Sequence, residues 1–169
     1  MFGDVIELDG KSSDEIIEQL YEIFKNDFVV NRTYLSHQIY IDPISSDVEP
    51  TINKEKIFWH IISRKDRGSR RIDKPRASRL HWIKPIIVNH YNAKIKLFYY
   101  LEDNGKIRLY LWAHEENFAV ILQKIGTSNS SYIVTSFYID NENKINAFQR
   151  KYESYVNNND NRLASCEWF

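Results

Sequence analysis

His60, the arginines that follow it, and the hydroxyls of Thr135, Ser136 and Tyr138 are the side chains of this sequence best suited to chemistry. Imidazole titrates near neutrality and serves as base or acid. Guanidinium offers a planar fork of donors that fits phosphate oxygens. A Thr or Tyr hydroxyl orients a phosphate or relays a proton. Together these groups are the equipment for cleaving RNA without a metal. The ribose 2′-OH attacks its own neighbouring phosphorus, so the protein must supply a base for that proton, donors for the phosphoryl oxygens and a proton for the leaving 5′-oxygen. Other chemistries lack their residues. The chain has no Walker A, GxGxxG, HExxH or GxSxG motif. No carboxylate cluster stands beside the basic residues to hold a pair of metal ions. His114, Glu115 and Glu116 read more simply as a solvated turn than as a weak metal site, and no metal or cofactor is expected.

Formal net charge is zero, yet its distribution is uneven. The segment 64–84 carries nine basic residues against Asp66 and Asp73, a net of +7, so the remainder is acidic by the same amount. One polyanion-facing surface is the functional reading; a solvated loop of scattered charge is the plain one. On the functional reading Arg64, Lys65, Arg67, Arg70, Arg76 and Lys84 bind substrate, with Trp82 as a stacking ring and Ser136 as a polar contact.

The elements that must position these groups form an α+β fold. Residues 1–169 are expected to make one domain. Within it, 1–56 are helical or irregular, 57–140 hold the sheet and basic loop, and 141–169 form a helix and tail. Ser12 and Glu15 have capping-box spacing ahead of Ile16, Ile17, Leu20 and Phe24, which predicts an amphipathic helix over Ser13–Lys25. The segment Ile57–Arg64 is rich in β-branched and aromatic residues and reads as a strand with Phe58, His60, Ile62 and Arg64 on one face. Four residues of strand span ~13 Å. Arg71 or Arg79, returning from the loop, is therefore a better partner for His60 than Arg64. Gly68 and Pro75 argue for a loop, and Ala77–Ile83 for a helix stopped or kinked at Pro85. Lys94–Glu102, Ile107–His114, Phe118–Ile125 and Ser131–Asp140 alternate with short polar turns, among them Asn104-Gly105, and predict an antiparallel meander. Some of these strands are apolar on both faces, so either both faces are covered or one is an aromatic floor for a ligand. Asn143–Val156 closes the fold as a helix, and the polar Asn157–Asp160 reads as a frayed tail.

The run Phe58–Arg64, the arginines ending at Arg79–Pro85 and the late strand Tyr132–Phe137 resemble the barnase–EndoU–colicin–RelE superfamily, nearest its phage- and plasmid-borne branches. The likeness covers 58–140, about half of the chain. It implies a metal-independent endoribonuclease toxin of a toxin–antitoxin or phage-defence system, with RNA as substrate and a cognate antitoxin or immunity protein as partner. Carried over by position, His60 matches the catalytic histidine, Arg71 and Arg79 the basic positions, and Thr135 the strand threonine. Where relatives place tyrosine two residues after that threonine this chain has Phe137, followed by Tyr138.

Two other readings use the same residues. A basic loop with an aromatic sheet could hold single-stranded RNA without cutting it, and a +7 patch could meet an acidic protein. Met1–Asp9, with three carboxylates, lacks the basic and apolar regions of a signal peptide. No apolar run approaches the ~20 residues that span a bilayer. Cys166 is the only cysteine, so no intramolecular disulfide forms, and a cytoplasmic setting is expected.

Overall fold

The computed structural model describes all 169 residues. It is an α+β fold in which helices flank a curled, mixed six-stranded sheet. The first helix, α1 (Ser13–Phe24), starts where the capping box predicts: Ser12 Oγ accepts from Glu15 N–H at 3.2 Å, and Glu15 accepts from Ser12 N–H at 3.4 Å. Its stripe of Ile16, Ile17, Leu20 and Phe24 is buried, and a π-helical turn, Lys25–Val30, adds Phe28 to that core. Two short strands, β1 (Tyr34–Leu35) and β2 (Ile39–Ile41), pair antiparallel. β3 (Val48–Glu49) and β4 (Lys54–Glu55) make a separate small hairpin.

The segment expected to be a strand at Ile57–Arg64 is instead helix α2 (Lys56–Ile62), and only from Ser63 does the chain extend. Phe58, Ile61 and Ile62 are fully buried, a spacing of three and four that suits a helix. The β propensity of isoleucine and aromatics is a weak bias, overridden here by burial of one helical face. His60 and Arg64 therefore share no strand face. The basic loop is also more ordered than expected. β5 (Ser63–Asp66) and β6 (Ser69–Ile72) form a two-stranded arm. The region expected to be one helix before Pro85 comprises α3 (Lys74–Ala77), a 3₁₀ turn at Leu80–Trp82 and α4 (Ile83–Val88). Pro85 lies in the first turn of α4, where its missing N–H costs nothing, so it neither ends nor kinks that helix.

The meander follows as β7 (Ile95–Leu101), β8 (Ile107–Ala113), β9 (Phe118–Lys124) and β10 (Ser130–Tyr138), all antiparallel neighbours. Gly105, at φ +81°, closes the first hairpin from a conformation only glycine adopts cheaply. The sheet then gains two strands, of which β2 falls where Tyr40 and Ile41 fit a short strand in the sequence and β1 carries no such signal: β2 pairs parallel with the start of β10, giving the order β1-β2-β10-β9-β8-β7.

Both faces of the meander are covered. On one, Leu109, Leu111, Phe118, Val120, Leu122 and Ile133 join α1, α2 and α4 in the main core. On the other, Phe98, Tyr110, Trp112, Ala119 and Ile121 pack beneath Phe148 of α5 (Glu142–Val156). Beyond α5 the chain folds back rather than fraying, through a left-handed residue at Asn158 and a 3₁₀ turn at Asn161–Leu163. Trp168 N–H then donates to Tyr99 Oη at 2.9 Å. No helix is long and apolar enough to cross a membrane.

Candidate nucleic-acid interface

The β5–β6 arm concentrates the charge. Asp66 pairs with Ser69 across a two-residue turn, Arg67-Gly68, whose positive φ values of +51° and +87° are those of a type I′ hairpin. The register sets Arg64 opposite Arg71 and Lys65 opposite Arg70. Like charges directly opposed on a ribbon repel, and each such pair is destabilising. Relief within the chain is slight. Arg64 Nε is 3.9 Å from Asp73 and Arg71 Nε is 3.7 Å from Asp66, with both arginine side chains about two-thirds exposed. Exposed ion pairs of this kind contribute little. Lys65 and Arg67 are exposed at the tip, with no carboxylate in salt-bridge range.

Two arginines of the basic segment are used differently. Helix α2 ends with its last carbonyls lacking helical partners, at the negative end of its dipole. Arg70 Nη2 donates to Ser63 O at 2.7 Å and to His60 O at 3.4 Å, while its Nε donates to Ser63 Oγ at 2.9 Å. Arg76 Nη1 donates to His60 O at 3.0 Å and Ser63 O at 2.8 Å. Arg76 is largely buried and has Asp73 at 3.9 Å. Expected as substrate contacts, Arg70 and Arg76 instead cap a helix, because two guanidinium forks satisfy carbonyls that would otherwise be orphaned.

Beside the arm lies a groove of about 340 Å³. Arg71, Lys74 and Lys11 line it with the edge of Arg70, and Trp59 and Ile16 form its apolar wall; no carboxylate lines it. Lys74 makes an exposed ion pair with Asp9 at 3.1 Å. Lys11, about sixty residues away along the chain, carries no sequence signal that could have placed it here. Trp59 reads from the sequence first as a core residue, with base stacking as the alternative.

His60 opens on a different cavity, of about 460 Å³, with Asp47, Lys56, Ile57, Tyr132 and Val134. Burial, with Arg70, Lys56 and Arg76 nearby, holds its imidazole below the ordinary value, so it is neutral at pH 7. Arg71 does not line this cavity. Thr135 is separated from it by a single bulge. Alternation along β10 would place Thr135 on the same face as Ile133, toward α2. The register slips between Ile133 and Thr135, leaving Val134 unmatched and setting Thr135 opposite Ile121 on the α5 face. Ser136 turns inward in its place, opposite Val120, and is fully buried. The expected contact of Ser136 with substrate is corrected on that ground.

Trp82 likewise cannot stack a base: it is 6% exposed, between Phe2 and the edge of Phe118. Arg79 donates to Pro75 O at 2.6 Å and lies 4.2 Å above the Tyr138 ring, forming a cation–π pair at the edge of the site. Lys84 belongs to neither arm nor groove; it is 3.8 Å from Asp27. No three His, Cys, Asp or Glu side chains converge as a metal-ligand cluster. The structure therefore sets Arg71 in one groove with Lys11, Lys74 and Trp59, and Arg64, Lys65 and Arg67 on the adjoining arm. Thr135, Arg79 and Tyr138 do not line the His60 cavity. Comparison of the chain with protein-family models, with curated proteins and with solved structures finds no match.

Proposed function

We propose that this protein binds RNA through the β5–β6 arm and the groove beside it. The observation that carries this reading is the opposition of Arg64 to Arg71 across one ribbon, with Lys65 and Arg67 exposed beside them. Such an arrangement costs folding energy unless an anion with many closely spaced charges lies along it. A phosphate backbone meets that description. Trp59 in the groove offers a ring against which an unpaired base can stack, which favours single strands over a duplex. Fluorescence anisotropy of single-stranded RNA, duplex RNA and single-stranded DNA against rising salt tests this. Single-stranded RNA should bind most tightly, with affinity falling steeply as salt increases. Equal affinity at low and high salt would remove the arm from the account.

A second reading, metal-independent endoribonuclease activity of the toxin kind, is supported by one feature. His60 is a neutral imidazole in a cavity that also presents the Lys56 ammonium and the Tyr132 phenol. A neutral imidazole can take the 2′-OH proton, and a lysine can stabilise the crowded phosphoryl oxygens. In this reading His60 is the base, and cleavage leaves a 2′,3′-cyclic phosphate and a 5′-OH. Incubation of RNA with purified protein in excess EDTA separates the readings. Cleavage blocked by a 2′-deoxy substitution at the scissile nucleotide supports catalysis, and intact RNA over pH 5–9 leaves binding alone. A cognate antitoxin, if the toxin reading holds, would gain most by covering the arm.

A further inference from the structure

A second polar cavity, of about 530 Å³, is built from elements other than the arm. Arg32 and the β1–β2 turn form one side; Lys84 of α4 and the residues just after that helix form the other. Its charged and titratable lining consists of Arg32, Lys84, His37 and His90, with the phenols of Tyr34 and Tyr91, and no carboxylate lines it. In a chain of zero net charge, such one-sided lining selects an anion.

The individual groups agree with that. Lys84 has one carboxylate in range, Asp27 at 3.8 Å, which burial holds above its ordinary value. The Arg32 guanidinium lies 5.6 Å from the Tyr40 ring and has no acidic partner. His90 Nδ1 is 3.1 Å from the carbonyl of Ile87. A carbonyl only accepts, so a proton sits on Nδ1, and Nε2 donates to a phosphate oxygen once the ring takes up a second proton with the bound anion. His37 stands in the β1–β2 turn at φ +59° and lines the same cavity as His90. The aromatic part of the lining is accessible: Tyr91 is 77% exposed and Tyr34 37%. A phosphate ion alone would leave most of this volume empty, whereas cavities of ~300–1,000 Å³ suit ligands of nucleotide size. Tyr34 packs beside Tyr40 at 5.7 Å and Tyr91 stands edge-on to His90 at 5.5 Å, and the exposed remainder of such rings suits a base.

We propose that this cavity binds a nucleoside monophosphate unit, with Arg32, Lys84, His37 and His90 on the phosphate and Tyr34 and Tyr91 on the base. The proposal does not rest on RNA binding by the arm. Calorimetric titration with adenosine 5′-monophosphate, adenosine and inorganic phosphate tests it, with the C2 proton shifts of His37 and His90 followed by NMR. The monophosphate should bind more tightly than either part and should move both histidine signals. Arg32→Ala and His37→Ala, both at exposed positions and checked for fold by circular dichroism, should each weaken it roughly tenfold, the usual loss for a charge-assisted contact. Arg64→Ala/Arg71→Ala should leave this binding unchanged.

A 5′-phosphorylated tetranucleotide separates two sources of the same chemistry. Tighter binding than the mononucleotide assigns the site to an RNA end, and equal binding assigns it to a free nucleotide. No binding, phosphate binding as tightly as the nucleotide, insensitivity to Arg32→Ala and His37→Ala, or loss in the arm variant would each overturn the proposal.

Discussion

At the scale of single residues, the basic segment divides into arginines that hold the fold and arginines that face outward. Arg76 is the clearest of the first kind, since its guanidinium serves two carbonyls at the end of α2 while nearly buried. Arg76→Ala should lower unfolding free energy by about 1–3 kcal/mol, from the loss of two charge-assisted hydrogen bonds and of a largely buried side chain, although Arg70 still donates to the same carbonyls. Arg76→Lys should recover little of it, because an ammonium cannot reproduce the fork. Arg71→Ala, at an exposed position, should raise the denaturation midpoint slightly, by relieving its opposition to Arg64 (about 0.2–1 kcal/mol), while lowering RNA affinity. Urea denaturation of the three variants distinguishes the roles.

His60 gives a prediction in pH. Its folded value lies below the ordinary one, through burial and then Arg70, Lys56 and Arg76. Between the folded value and ~6.5 the unfolded chain therefore binds more protons than the folded one, so the stability linked to His60 is present above pH ~6.5 and lost as pH falls below it. His81 and His90, also lowered mainly by burial, act in the same direction. The urea midpoint should fall between pH 7.5 and 5.5, and less steeply in His60→Gln. A midpoint that rises on acidification would contradict this placement of the histidines. If the cleavage reading holds, His60→Ala should lower the rate by ~10²–10⁴-fold while RNA binding persists.

At the scale of elements, the lesson lies in what alternation can and cannot show. The meander was legible because its strand runs are bounded by turn residues, and Gly105 closes the first hairpin as the left-handed residue of a three-residue loop, Asp103–Gly105. The capping box at Ser12 and Glu15 marked α1 for the same local reason. The segment after Glu55 misled because its isoleucines and aromatics favour strands locally, whereas Phe58, Ile61 and Ile62 bury one helical face. The bulge in β10 had no local signature, and it moves Thr135 from one side of the sheet to the other. The basic segment was legible as a charge cluster. Its folding into an arm depended on Arg67-Gly68, a turn whose left-handed arginine is an uncommon choice. Arm and meander can be tested separately. Gly68→Val, which puts a β-branched residue at φ +87°, should loosen the arm and weaken RNA binding while far-UV circular dichroism stays close to that of the parent. Phe148→Ala should instead cost about 3–5 kcal/mol, because that ring contacts Phe98, Tyr110, Trp112 and Phe137 in the second core.

At the scale of the whole molecule, zero net charge conceals a basic arm on an otherwise acidic body. The body repels a polyanion and the arm attracts it, so association should be oriented as well as salt-dependent. The central claim is that four outward cations, Arg64, Lys65, Arg67 and Arg71, make the RNA contacts. Its most direct test is the slope of log affinity against log salt for a single-stranded RNA, measured for the parent and for Arg64→Ala/Arg71→Ala. Four phosphate contacts on a single strand predict a slope of about −3, and loss of two should flatten it by roughly 1.4. A parent slope near zero, or an identical slope in the double variant, would contradict the account.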